Sequence, residues 1–73
     1  MANEGGVAAV DRALTILDAF REGDQSLTLT EISKRVGFYK STTLRLAESL
    51  EKFGYLRRLE DGAFRLGPKP LFL

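Results

Sequence analysis

Between Leu27 and Phe53 the chain carries two apolar runs at helical spacing, LTLTEISKRV and KSTTLRLAESLEKF, with only Gly37, Phe38 and Tyr39 between them. In the first run Thr28 is followed three residues later by Glu31. That spacing suits a capping box, in which hydroxyl and carboxylate satisfy each other's backbone amides. The helix is expected to start at Leu29 or Thr30 and reach Val36, with Ile32 and Val36 inward and Gly37 as a left-handed stop. Two turns of helix do not persist alone in water, so this one needs packed neighbours. The second run predicts a helix over Lys40 to Phe53, ended by Gly54. Its apolar side gathers Thr43, Leu46, Ala47, Leu50 and Phe53, and its opposite side Ser41, Arg45, Glu48 and Lys52. Thr42 and Ser49 flank the polar side at one margin and Leu44 at the other.

Upstream, apolar residues at Val10, Ala13, Leu14, Leu17 and Phe20, with Ile16 close by, predict an amphipathic first helix punctuated by Gly23 and Asp24. Residues 1–9 are expected to be a loose tail. Downstream the period changes, and YLRRLEDGAFRLG reads as two short strands around Asp61-Gly62. A two-residue turn would pair Leu59 with Phe64. A three-residue loop with Gly62 in the left-handed region pairs Leu56 with Leu66 instead and gathers the apolar residues on one face. The second register is preferred, and it sets Arg57 opposite Arg65. The order helix, helix, helix, hairpin is a winged helix-turn-helix, mainly α with a small β-hairpin, spanning residues 10–67.

Composition narrows the chemistry. Seventy-three residues without cysteine or histidine make one domain at most, with no disulfide and no thiol or imidazole catalysis. No Gly-rich phosphate loop is present, and the carboxylates Glu48 and Glu51 lie on a solvated helix. The expectation is a chain that is not an enzyme and takes no cofactor. Apolar runs of four residues or fewer are far too short for a membrane span, so no membrane partner is expected and the default location is cytoplasmic. Charge is segregated. Residues 1–33 hold six carboxylates against two arginines, and residues 34–73 hold nine cations against four carboxylates. A basic half of this kind points to a polyanionic partner.

In a helix-turn-helix the second of the two crossing helices enters the major groove with its N-terminal residues on base edges. Lys40 supplies a cation there, Ser41 and Thr42 short hydroxyl donors, and Arg45 a fork for a phosphate or a guanine. Ser41 or Thr42 could equally cap the helix. Leu44 at the margin could touch a thymine methyl, and Ser49 continues the polar side. Tyr39 is either a core plug or a hydroxyl on a phosphate, while Phe38 reads as core. Thr28 and Thr30 could meet phosphate at the start of the preceding helix, although capping alone accounts for Thr28. In the wing Arg57, Arg58 and Arg65 are placed to meet phosphates. The alternative is a protein–protein or dimerisation module, which would make the exposed face of the third helix apolar and aromatic.

The segments VDRALTILDAF, LTLTEISKRVGFYKSTTLRLAESLEKFGYLRR and GAFRLGPK together resemble the N-terminal domain of IclR-type bacterial transcriptional regulators. The resemblance runs from Val10 to the end. It implies a winged helix domain that binds a palindromic double-stranded DNA operator, often as a repressor. It further implies a homodimer or tetramer in the full-length protein and a small-molecule effector bound by a domain missing from this chain. By position, Ser41, Thr42 and Arg45 match the recognition-helix motif and Lys40 the basic residue before it. Gly67-Pro68-Lys69 matches the start of a linker helix over residues 68–73, which would place Leu71 and Leu73 on a dimer surface.

Overall fold

The computed structural model describes residues 5–69, so Leu71 and Leu73 lie outside the described part. Three helices, α1 (Ala8–Asp18), α2 (Leu29–Val36) and α3 (Lys40–Lys52), precede an antiparallel pair, β1 (Leu56–Arg58) and β2 (Phe64–Leu66). α3 packs against α1, α2 and β1. This is the helical winged arrangement that period and punctuation imply.

Local chemistry sets most boundaries. At the start of α2 the Thr28 hydroxyl accepts from the Glu31 amide at 3.1 Å, and the Glu31 carboxylate accepts from the Thr28 amide at 2.8 Å. Gly37 ends α2 at φ 80°, a left-handed backbone that a Cβ would strain. α3 stops in a Schellman motif: the Gly54 amide donates to the Glu51 carbonyl at 3.0 Å and the Tyr55 amide to the Leu50 carbonyl at 2.9 Å. In the hairpin Leu56 pairs with Leu66 and Arg57 with Arg65. Gly62 sits at φ 90° in the loop, which is the three-residue register preferred above.

The core is small: Ile16, Leu27, Ile32, Ala47, Leu56 and Phe64, with Leu17, Phe20, Val36, Phe38, Leu44, Leu46 and Leu50 packed around it. Thr43 is fully buried too, its hydroxyl donating to the Tyr39 carbonyl at 2.9 Å. An isolated bridge ties the loop ahead of α2 to the wing. Leu27 and Phe64 exchange both backbone hydrogen bonds, each at 2.8 Å.

Several expectations fail at the ends of elements. α1 begins at Ala8, two residues ahead of Val10, and ends at Asp18 rather than at Gly23-Asp24. Its last turn is closed from outside, because the Arg35 guanidinium donates to the Ala19 carbonyl at 2.9 Å and to Asp24 at 2.7 Å. Asp24 also accepts from the Arg21 amide at 2.8 Å, so it staples a loop and does not punctuate a helix. On α1 the buried anchor is Ile16, which helical spacing sets beside the stripe, whereas Val10 and Leu14 are each 54% exposed. Only the C-terminal half of α1 reaches the core. Helical spacing puts Phe53 on the inward face of α3. It is the C-cap residue instead, 61% exposed and lying under the Lys52 ammonium at 5.8 Å.

A Cβ on Gly67 would lie 2.3 Å from the Gly54 carbonyl oxygen, a backbone atom that cannot swing aside. Gly67→Ala should therefore destabilise the fold by about 1–3 kcal/mol in urea titration. The Arg35 hydrogen bond, with the Arg21 amide, holds the Asp24 carboxyl below its usual value. A depressed folded pKa means that the stabilisation is complete above the unfolded value of about 3.9 and disappears as pH falls through the lower folded value. Melting curves of Asp24→Asn should thus lie below wild type at neutral pH and converge with it in acid.

Candidate nucleic-acid interface

α2 and α3 begin differently. α2 has its capping box and an acid, Glu31, in its first turn. α3 has neither: its N-cap is Tyr39, no side chain caps it, and no acid lies in its first turn. The first helical bond there runs from the Thr43 amide to the Tyr39 carbonyl at 2.9 Å. The amides of Lys40, Ser41 and Thr42 are thus left without an intrahelical acceptor. The positive end of the helix dipole faces outward together with them. Ser41 and Thr42, either of which could have capped α3, do not, and among the described residues neither hydroxyl has a hydrogen-bond partner.

The exposed side of α3 gathers Lys40, Ser41, Arg45, Glu48, Ser49 and Lys52, with Thr42 half-buried at its edge. Tyr39 is 85% exposed, so the core-plug reading fails and its ring stands at the entrance to the helix. Phe38 is half-buried and packs on the core, held partly by the Ser33 hydroxyl donating to the Phe38 carbonyl. Leu44 is half-buried and packs on the core as well, which turns it away from the polar face. On α2 the Thr28 hydroxyl is used by the cap, and Thr30 is half-buried in the first turn.

α1 contributes a cation that helix spacing did not single out. Arg12 lines an open cleft of about 350 Å³ with Thr42, Arg45, Leu46 and Ser49, and a second of about 450 Å³ with Gly37, Phe38, Tyr39 and Thr42. It lies in the acidic half of the chain and off the apolar stripe of α1. Nothing in its spacing relates it to α3, and only the packing of α1 on α3 reveals the relation. Two guanidinium groups and two hydroxyls thereby converge on one side of the molecule. Such a set suits a phosphate-bearing ligand, since each guanidinium offers a planar fork of donors to anionic oxygen.

The wing divides its cations. Arg57 and Arg65 are opposite each other and exposed, whereas Arg58 pairs with Phe64 and lies 5.1 Å over its ring. Among the described residues no His, Cys, Asp or Glu cluster has the makings of a metal site, and no helix is long and apolar enough to cross a membrane.

Comparison with known proteins agrees with this geometry. Residues 9–60 match the IclR helix-turn-helix domain. Over 64 residues, 86% of this chain and 25% of the relative, the sequence is 44% identical to the HTH-type transcriptional regulator XynR of Escherichia coli. Among solved structures, an IclR family transcriptional regulator from Brucella abortus superposes with a TM-score of 0.88 at 31% identity, covering 96% of this chain and 27% of that one. An IclR homolog from Microbacterium hydrocarbonoxydans, complexed with 4-hydroxybenzoate, gives 0.80 at 27% identity, covering 86% and 26%. The chain thus spans about a quarter of the length of the relatives it matches.

The uncapped start of α3 has a measurable consequence. Tyr39→Asp, which places a carboxylate at the N-cap, should raise the stability of the chain by about 0.5–1 kcal/mol in thermal or urea unfolding.

Proposed function

The chain belongs to the IclR helix-turn-helix domain family, and from that premise we propose that it binds double-stranded DNA with α3 in the major groove. In this reading Lys40, Ser41, Thr42, Arg45 and Ser49 face base edges or flanking phosphates, and Leu44 adds at most a methyl-sized apolar contact. Tyr39 lays its hydroxyl on the backbone beside the start of α3, and Arg12 closes the same side from α1. Thr28 and Thr30 meet the strand that crosses the start of α2. Arg57, Arg58 and Arg65 hold phosphates along the wing. The observation that carries the reading is the open N-terminus of α3, where three free amides, two free hydroxyls and nearby cations share one surface.

The longer protein would act as a transcriptional regulator on a palindromic operator. It would be a dimer or tetramer, with residues 68–73 opening a linker to a domain that binds a small organic effector. What supports the effector is the 4-hydroxybenzoate held by the Microbacterium relative. The protein–protein alternative has less in its favour, because the exposed large apolar and aromatic residues are Val7, Val10 and Leu14 at α1, Tyr39 and Phe53 at the two ends of α3 and Leu66 in the wing, and none lies on the outer face of α3 between its ends. An α1 surface of that kind is compatible with dimerisation beside a DNA-binding α3.

Gel-shift titration of duplex at fixed salt tests the reading. Arg45→Ala should weaken binding by about 1–3 kcal/mol, and wild-type affinity should fall steeply as salt rises, in proportion to the phosphates neutralised. Equal affinity of variant and wild type, or a flat salt response, would count against it.

A further inference from the structure

Arg57 on β1 and Arg65 on β2 face each other across the ladder, and both are exposed. On either side of them the Leu59 amide donates to the Ala63 carbonyl at 2.8 Å and the Gly67 amide to the Tyr55 carbonyl at 2.9 Å. Bonds alternate along an antiparallel ladder, so Arg57 and Arg65 occupy a hydrogen-bonded pair with Cα atoms about 5.5 Å apart. Like charges directly opposite on a sheet weaken it. Among the described residues no carboxylate pairs with either arginine, and the ion pair present there is Arg35–Asp24. At the tip, the Asp61 carboxylate accepts from the Ala63 amide at 2.9 Å. Arg58 is on the other face, its guanidinium over the Phe64 ring. The outer face of the wing therefore holds two opposed cations with no carboxylate among the described residues to neutralise them.

We propose that Arg57 and Arg65 jointly clasp one phosphate of a duplex backbone, and that their repulsion weakens the free wing until that phosphate arrives. The inference rests on the duplex-binding reading above and deepens it, giving two side chains a single shared ligand group. A phosphate between two guanidinium forks accepts charge-assisted bonds from both and changes the sign of their interaction from repulsive to attractive. The same pair then lowers the stability of the free domain and raises its affinity for DNA.

The test uses the 73-residue chain as wild type, Arg57→Thr, Arg65→Thr, the double variant and Arg65→Lys. Threonine is chosen because it keeps strand propensity. Melting without DNA and affinity for a mixed-sequence duplex across a salt series are measured for each. Each threonine variant should melt a few degrees higher than wild type. Each should also bind several-fold more weakly, with a shallower dependence of log affinity on log salt. The double variant should gain less melting temperature and lose less affinity than the two single effects combined, because both residues serve one phosphate. Arg65→Lys keeps the charge, so its melting and salt slope should stay near wild type. Threonine variants that melt no higher, or that lose affinity additively, would overturn the clasp while leaving duplex binding intact. Inorganic phosphate that stabilises the wild type as much as duplex does, at matched ionic strength, would overturn the assignment to a DNA phosphate. A wild-type chain that binds no duplex even at low salt would overturn the parent reading and the clasp together.

Discussion

The two backbone hydrogen bonds between Leu27 and Phe64 hold this small fold closed. They join the loop ahead of α2 to the second wing strand, and they carry both residues into the centre of the core beside Ile16, Ile32, Ala47 and Leu56. A chain of this length has little apolar surface to bury, so a wing left outside the core would forfeit its largest buried side chain, Phe64. With the bridge made, the hairpin becomes part of the core and the helices are clamped around it. The wing's position beside α3 is then a consequence of core formation. That is what places Arg57 and Arg65 at a fixed offset from the polar face of α3.

The same economy separates structural from recognition chemistry along the chain. Thr28, Glu31 and Gly37 complete α2 so that it needs no ligand at either end. Arg35 is likewise consumed, bridging the Ala19 carbonyl and the Asp24 carboxylate. α3 is finished only at its far end, by Gly54, and is left open where Tyr39, Lys40, Ser41 and Thr42 stand. Two adjacent helices of similar composition thus differ in one respect that matters for binding, namely where their unsatisfied amides lie.

Much of this was legible in the residues because the signals are local. The Thr28–Glu31 pair, Gly37, Gly54 and Gly62 each mark a backbone event that involves only near neighbours in sequence, and each appears where those residues stand. Helical spacing also put Thr43 and Ala47 inward on α3. The failures are long-range. The end of α1 depends on Arg35, sixteen residues beyond the carbonyl it closes, and no window on α1 contains that information. Phe53 continues the apolar spacing of α3, but it stands at the C-cap, where the helix ends, and stays exposed. Arg12 joins the candidate site only through the packing of α1 on α3. Sequence spacing could not choose between cap and contact for Ser41 and Thr42, or between core and surface for Tyr39, since each pair of roles uses the same side chain in the same place.

The Gly54–Gly67 crossing matters beyond its tight fit. The Gly54 carbonyl accepts from the Lys69 amide at 3.3 Å, the Tyr55 carbonyl from the Gly67 amide at 2.9 Å, and the Lys69 ammonium lies 6.0 Å over the Tyr55 ring. The strand leaving the wing is therefore clasped to the turn that ends α3. Lys69 is thereby held on a bearing set by the end of α3. A pull on Lys69 would reach the turn that ends α3 through these two hydrogen bonds.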